Sequence, residues 1–427
     1  MRRSVRPAYL AVTLAGALTL AACGGVNSAG KSTKTTDTES AACSQSVGIT
    51  DKEIKLGVLS DLSGPVAAGG VPFSQGVQAF FDYANSELGG VDGRKIDVVV
   101  KDHGYDPQKA VQAYRELNSQ VAGIPLSFGT PTTSAVAAQI GNDCMPLVAN
   151  TGSEEDQKDG VYFSGSTYED NTLNAIDWYI KDGHHKNPRV ALFYQADSLG
   201  QGALSALEFA SKKRGFKIVS KQSYAPTDKS FSGQLAGIKA SKPDVVVMAS
   251  TVGATFGFYG EATAAGAKWD WLGLQPSFAP AVFDLPFSKA FQKNFTIAYG
   301  GPVAALGGKQ IDLARKTLKK KFPEAVDNPP ALIGWTGAYM FYSAMKAASE
   351  DGKLTRGSIG NALSRLDVPT GGLGPERFKF DPKSLTPGVP DHSDTIVTAD
   401  RKTEGSLKVV KSWSASDLVD EYYRSHK

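Results

Sequence analysis

Three short segments of this 427-residue chain gather hydroxyls and glycines: Ser60 to Pro65 (SDLSGP), Gly129 to Ser134 (GTPTTS) and Asn150 to Ser153 (NTGS). Each follows an apolar run, and the first two run into stretches of helical spacing. Hydroxyls and free backbone N–H groups ahead of helices suit anions and carbonyl oxygens, a carboxylate above all. The same residue types also cap helices and end strands, so one such loop decides nothing. Three in one half of the chain point to a binding crevice. Reactive chemistry is missing where it would be plainest: there is no G-x-S-x-G elbow, no H-E-x-x-H pair, and no G-x-G-x-x-G after the first strand. Gly301 to Lys309 fails as a phosphate loop, because Val303 stands where its first glycine belongs and Gln310 follows the lysine. His103, His184, His185, His392 and His426 form no ligand pattern, and three cysteines are a poor basis for a metal site. Neither metal nor cofactor is expected.

The elements that must position these loops are legible from periodicity. Ile54, Leu56 and Val58 alternate as a strand; Val77, Phe80, Phe81, Ala84 and Leu88 fall on one helical face. A strand at 96–100, a helix at 107–121 with Asp106 as N-cap, a strand at 124–128, a short helix at 134–140 and a strand at 145–149 follow. After Tyr162 the cycle restarts: helices at 172–181, 202–214 and 231–240 alternate with strands at 190–194, 216–220 and 245–249. Helices at 334–349 and 358–366, a Gly- and Pro-rich stretch at 369–390 and a strand near 395–398 return to cover the lobes. Such alternation with near-continuous apolar strands predicts an α/β fold of two lobes, each a parallel sheet covered by helices. In open sheets of this kind, ligands sit beyond the carboxyl ends of the strands, where the three polar loops lie.

Composition is that of a globular protein, 41% apolar and 21% charged, which excludes collagen-like, disordered and polytopic membrane chains. The net charge of +3 equals the contribution of Arg2, Arg3 and Arg6, so the rest of the chain is near neutral and nucleic-acid binding through phosphates is not expected. Those arginines, the apolar run Ala8 to Leu20 and the ending Leu20-Ala21-Ala22-Cys23 read as an export signal over residues 1–22, too short in its apolar part to span a bilayer. The ending is similar to a lipobox, which would make Cys23 the acylated first residue of the mature protein. Residues 23–43 then form a flexible tether, poor in large apolar side chains, and place the body at the outer face of the membrane. Cys43 and Cys144 are left as the one possible pair, either bridged or as two buried thiols. A bridge would close a loop of about 100 residues.

The segments Ile54 to Pro65 (IKLGVLSDLSGP), Asp102 with Asp106-Pro107, and Pro146 to Ser153 (PLVANTGS), behind a lipobox and tether, resemble the type I solute-binding proteins of branched-chain amino acid ABC importers. The likeness runs from near residue 50 to near residue 400. It implies two Rossmann-like lobes joined by three hinge crossovers, here 44–167 with 300–385 and 168–299 with 386–427, and a solute captured between them and delivered to a membrane permease. It also implies a monomer without cofactor or catalysis. By the resemblance, Gly129 and Thr130 hold an α-carboxylate, while Thr151, Gly152 and Ser153 hold an α-ammonium, with Ser63 in the loop after the first strand. The acid that usually pairs the ammonium is replaced by Gln275. A buried ammonium without its charge partner costs about 3 to 5 kcal/mol, roughly two to four decades of affinity. Pocket aromatics of relatives are replaced by Gly69 and Leu199, with Thr251 at a third such place. Tyr105, Phe128, Tyr168 and Phe278 are further walls. The guest expected from this set is a small amino-acid-like, carboxylate or amide-bearing solute, aromatic ones included, in preference to leucine.

Two other readings stay open on sequence. The same lobes would serve an extracytoplasmic sensor that reports its ligand to a signalling partner, and a secreted α/β hydrolase shares the fold class. Neighbouring permease and ATPase genes would separate the first from transport; turnover of a bound ligand would revive the second.

Overall fold

The alternation that begins at residue 53 is a strand because its even positions are apolar and fully buried: Ile54, Leu56 and Val58 have no exposed surface. The computed structural model describes residues 43–150, 152–157 and 160–426. The signal segment, Cys23 and the tether through residue 42 lie outside them. Strands β1 (Glu53–Ser60), β2 (Lys95–Asp102), β3 (Ile124–Ser127), β4 (Leu147–Ala149) and β5 (Val161–Phe163) form an all-parallel sheet in the order β2-β1-β3-β4-β5. Helices α1 (Ala67–Glu87), α2 (Pro107–Asn118) and α3 (Thr130–Asn142) connect the first four strands. The side chain of Asp106 caps α2 by accepting from the N–H groups of Gln108 and Lys109, as its position ahead of Pro107 predicts.

The second sheet is built from β6 (Arg189–Gln195), β7 (Lys217–Tyr224), β8 (Val245–Ala249), β9 (Asp270–Leu274) and β10 (Phe295–Tyr299), with α4 (Tyr168–Lys181), α5 (Ser198–Arg214), α6 (Ser232–Ser241), α7 (Val252–Ala264) and α8 (Ser288–Asn294) between or beside them. The chain then returns to the first lobe with α9 (Lys309–Lys321), α10 (Pro329–Glu350) and α11 (Arg356–Ser364), and makes a small hairpin of β11 (Asp367–Pro369) and β12 (Arg377–Lys379). It ends in the second lobe with β13 (Asp394–Ala399), β14 (Leu407–Ser414) and α12 (Asp417–Ser425). The sheet order is β14-β13-β10-β9-β8-β6-β7, parallel as far as β10 and antiparallel for β13 and β14. Helix α10 lies directly on α1: a Cβ on Gly334 would collide with the Phe73 carbonyl, so only glycine permits this approach.

Several boundaries differ from the sequence reading, in one direction. Helices α3, α4 and α5 begin at Thr130, Tyr168 and Ser198, four residues before their predicted starts. Polar first turns hide a helix start from a periodicity argument, and here those turns face a cavity. Helix α1 likewise begins at Ala67, through Gly69, Gly70 and Pro72.

Three crossovers join the lobes, and one buried carboxylate ties them. Asp394, with no exposed surface, opens the last part of the second lobe. It accepts hydrogen bonds from Ser166 Oγ in the first crossover (2.5 Å), from Asn171 Nδ2 (2.8 Å) and from Asn174 Nδ2 (2.8 Å). Gly300 in the second crossover packs against both Ser166 and Asp394. Burial pushes the Asp394 carboxyl up to about 7, more than its hydrogen bonds pull it down. Glu169 nearby is likewise raised by burial, to about 7. Burial would lower His392, but the adjacent Asp170, 2.9 Å from its Nδ1, holds it above the usual imidazole range. All three groups bind protons more readily folded than unfolded. The contribution of the two carboxyls is complete below the unfolded carboxylate range and is lost as pH rises through about 7; that of His392 is complete below the ordinary imidazole range and is lost above it. The melting temperature should therefore fall between pH 5 and pH 8, and Asp394→Asn should flatten that slope. A slope identical in wild type and variant in calorimetric scans would show that Asp394 keeps no proton.

Candidate functional site

The carboxyl ends of the strands of both sheets converge on a cavity of about 620 Å³ of empty space, mouth included. Its walls come from the first lobe (Val66, Gly69, Phe73, Phe128), from the second (Leu199, Val252, Phe278) and from the returning helix α10 (Pro330, Ile333). Phe73 and Phe128 meet with ring centroids 4.8 Å apart. Four helices open on it at or next to their first residue: α3 at Thr130, α4 at Tyr168, α5 at Leu199 and α7 at Val252. The first N–H groups of a helix have no partner within it, and its dipole puts partial positive charge there. Neither Gly129 ahead of α3 nor Thr251 ahead of α7 makes a side-chain cap. The cavity therefore combines an apolar wall with the uncapped N-termini of α3 and α7, whereas α4 and α5 are capped by Thr167 and Asp197, the latter taking the Leu199 N–H (3.1 Å).

Among the described residues that line it there is no Asp, Glu, Lys, Arg or His. The polar groups are few. Thr130 Oγ1 and Tyr168 OH share a hydrogen bond of 2.7 Å. Gln275, 5% exposed, uses its backbone N–H on Asn171 Oδ1 (3.3 Å), but its side-chain Oε1 is buried without a partner. The hydroxyl of Tyr299, 2% exposed at the end of β10, is also buried without a partner. Burial raises the Tyr168 and Tyr299 hydroxyls far above their usual range, so both keep their protons and can donate. Leaving such groups unpaired costs about 1 to 3 kcal/mol each, and a guest with matching atoms recovers it.

One wall is set by a histidine that periodicity does not reveal. Tyr105 N–H donates to His103 Nδ1 (3.1 Å), so that nitrogen carries no proton and Nε2–H donates to the Phe128 carbonyl (2.9 Å). Burial lowers the His103 pKa and keeps this neutral form. The imidazole thus holds the Tyr105 and Phe128 backbones together. Tyr105 itself has φ 61°, rare outside glycine, while Gly129 has φ 99° and sits where a Cβ would lie 2.8 Å from the Tyr105 ring.

Of the residues singled out on sequence, the structure brings Tyr105, Phe128, Gly129, Thr130, Tyr168, Leu199, Thr251 and Gln275 to this cavity, with Gly69 and Phe278. It does not bring Ser63, Gly152 or Ser153 there. Ser63 Oγ donates to Asp102 Oδ2 (2.6 Å), closing the turn after β1. Ser153 is turned to the buried Glu169, to which its hydroxyl donates, and its N–H donates to Asp156 Oδ2 (3.0 Å). Gly152 lies against the Phe163 ring. Thr151 lies outside the described residues. Asn150, Tyr299, Pro330 and Ile333 line the cavity and were not singled out. Thr130→Ala should weaken solute binding by roughly 1 to 3 kcal/mol, since it strands Tyr168 and a solute atom. Ser153→Ala should leave affinity unchanged and lower the melting temperature. Calorimetry on the pair separates a ligand contact from a packing one.

The remaining sequence features do not add a reaction centre. A phosphate-loop spelling at Gly25 to Ser32 (GVNSAGKS) lies outside the described residues and follows Cys23 and Gly24 rather than a strand, so it lacks the context that gives the pattern meaning. No group of three His, Cys, Asp or Glu able to hold a metal occurs among the described residues. Cys43 and Cys144 are bridged.

Residues 53–386 match the family model described as periplasmic binding protein. Leu/Ile/Val-binding protein homolog 7 of Brucella abortus is 26% identical over 353 residues, 77% of this chain and 85% of that one. Leu/Ile/Val-binding protein homolog 3 of Brucella melitensis is 25% identical over 201 residues, and there the match spans only 53% of the relative's length. Among solved structures, the fatty acid ABC transporter substrate-binding protein from Thermomonospora curvata superposes with a TM-score of 0.83 at 28% identity, over 89% of this chain and 97% of that one.

Proposed function

The chain belongs to the periplasmic binding protein family, as an extracytoplasmic substrate-binding protein of the ABC-transporter kind, and we propose that its guest is a carboxylate with an apolar body and no ammonium. One observation carries this: a cavity onto which helix N-termini open, lined by uncharged donors and, among the described residues, by no carboxylate. An α-ammonium would be buried there with no counter-charge, at a cost of about 3 to 5 kcal/mol. A carboxylate finds the Tyr299 hydroxyl, the Thr130 and Tyr168 hydroxyls and N–H groups. The Thermomonospora relative is named for fatty acids, which have this chemistry, whereas the Brucella relatives are named for leucine, isoleucine and valine.

In this reading the lobes are 44–167 with 300–385 and 168–299 with 386–427, and the chain works as a monomer by closing on the solute about the Asp394 hub and presenting both lobes to a permease. Capture and release suffice for that task. No helix among the described residues is long and apolar enough to cross a membrane. Attachment is by acyl chains on Cys23, with residues 24–42 as spacer. Calorimetric titration tests the ligand class. Hexanoate or a longer monocarboxylate should bind and leucine, isoleucine and valine should not; tight binding of any of the three by wild type would refute the proposal.

A further inference from the structure

Gln275 and Tyr299 occupy adjacent strand ends. Strands β9 and β10 run parallel with Gly273 opposite Ile297 and Leu274 opposite Ala298, and the next residue along each is Gln275 and Tyr299. Neighbouring strands lie about 4.8 Å apart, and both side chains line the same cavity. The turn at Gln275 is pinned. Its N–H is held by Asn171 Oδ1 (3.3 Å), and the Ser277 hydroxyl closes the turn by donating to the Leu274 carbonyl (2.6 Å).

The two partnerless atoms differ in kind. Gln275 Oε1 only accepts, whereas the Tyr299 hydroxyl keeps its proton and donates. A carboxylate satisfies the tyrosine and leaves the glutamine oxygen empty. That oxygen requires a donor, and the donor must sit near the carboxylate, because the tyrosine that meets the carboxylate is the neighbour of the glutamine. An ammonium would donate, but no carboxylate among the described lining residues offsets its charge. An amide N–H would bring a carbonyl of its own, for which no partnerless side-chain donor is left among the described residues of the wall. A hydroxyl supplies the donor and makes no such demand.

We infer that the guest is a 2-hydroxy acid with an apolar body, whose carboxylate accepts from Tyr299 and whose hydroxyl, on the adjoining carbon, donates to Gln275 Oε1. This rests on the carboxylate reading and adds one oxygen to it. Gln275 then sets specificity, since the plain acid of the same length leaves a buried acceptor unpaired.

The test is calorimetric titration of wild type and of Gln275→Met with hexanoate, with each enantiomer of 2-hydroxyhexanoate and with 2-acetamidohexanoate. In wild type one hydroxy enantiomer should bind at least about tenfold more tightly than hexanoate, the effect of pairing one buried acceptor. Methionine has similar length and cannot accept as the amide does, so Gln275→Met should bring that enantiomer and hexanoate within about twofold of each other. Tyr299→Phe removes the donor to the carboxylate that these acids share; it should weaken them all and keep the preference for the hydroxy acid. Equal affinities of hexanoate and both enantiomers in wild type, a preference that survives Gln275→Met, or tighter binding of the acetamido acid would overturn the hydroxyl and leave the carboxylate reading standing. The wild-type comparison decides even where a variant fails to fold. If none of these acids binds wild type, the carboxylate reading itself falls, and the hydroxyl with it.

Discussion

Gln275→Glu should cost a monocarboxylate guest two to four decades of affinity at neutral pH. The substitution changes one side-chain group at nearly constant volume, at a position 5% exposed. It places a carboxylate in a cavity that has none among the described residues and that, on the proposed function, also takes the guest's own carboxylate. The two charges cannot both be buried ionised in contact, so either the glutamate takes up a proton or the guest does. Both routes spend free energy, and an uncompensated buried charge costs about 3 to 5 kcal/mol. The pH dependence identifies the cause. As pH falls from 7.5 to 5 the glutamate protonates, becomes a near copy of the amide in shape and neutrality, and affinity should recover; a variant damaged in its packing would not recover. The same glutamate supplies the counter-charge that an α-ammonium lacks in wild type, so leucine titrated into the variant should bind where it did not before. Undiminished binding of the acid at pH 7.5 would mean that its head lies elsewhere.

Position 275 was legible because a resemblance to amino acid receptors makes an acid expected there, and glutamine breaks the expectation. Tyr299 was not. It ends β10 (FTIAY), a strand too short to declare itself between a seven-residue helix and a glycine pair, so nothing placed its hydroxyl at a carboxyl end. Ser153 shows the opposite failure. A Thr-Gly-Ser loop after an apolar strand is the right chemistry in the right place, yet its hydroxyl is claimed by Glu169, sixteen residues on and buried by the packing of α4. Sequence pattern names the loop; only tertiary packing decides which hydroxyl is already spent. The sheets were readable wherever strands are buried on both faces, as in β1, β3, β6 and β8. The antiparallel pair β13 and β14 was half missed, since β14 exposes much of its length and carries lysines at 408 and 411.

Reduction of the Cys43–Cys144 bridge should lower the free energy of unfolding by about 4 to 5 kcal/mol and leave solute affinity unchanged. The two cysteines are 101 residues apart in sequence, with Cα atoms 5.0 Å apart, and closing a loop of that length removes about that much chain entropy from the unfolded state. The second half follows from where the bridge sits. Cys43 precedes β1 and Cys144 precedes β4, so the link lies at the amino ends of the strands, while the cavity lies at their carboxyl ends. Local docking does not depend on it alone: the Gly357 N–H donates to the Cys43 carbonyl (2.9 Å), and the buried Arg356 guanidinium binds the Val121 carbonyl through Nη2 (2.7 Å). The reduced protein should therefore keep its native fold in the absence of denaturant and still titrate with ligand, but unfold at lower urea. A Cys43→Ser, Cys144→Ser double variant should match the reduced protein in both respects. Free thiols in the native exported protein would remove the premise, and a loss of affinity on reduction would show that the amino ends of β1 and β4 transmit strain to the loops that hold the guest.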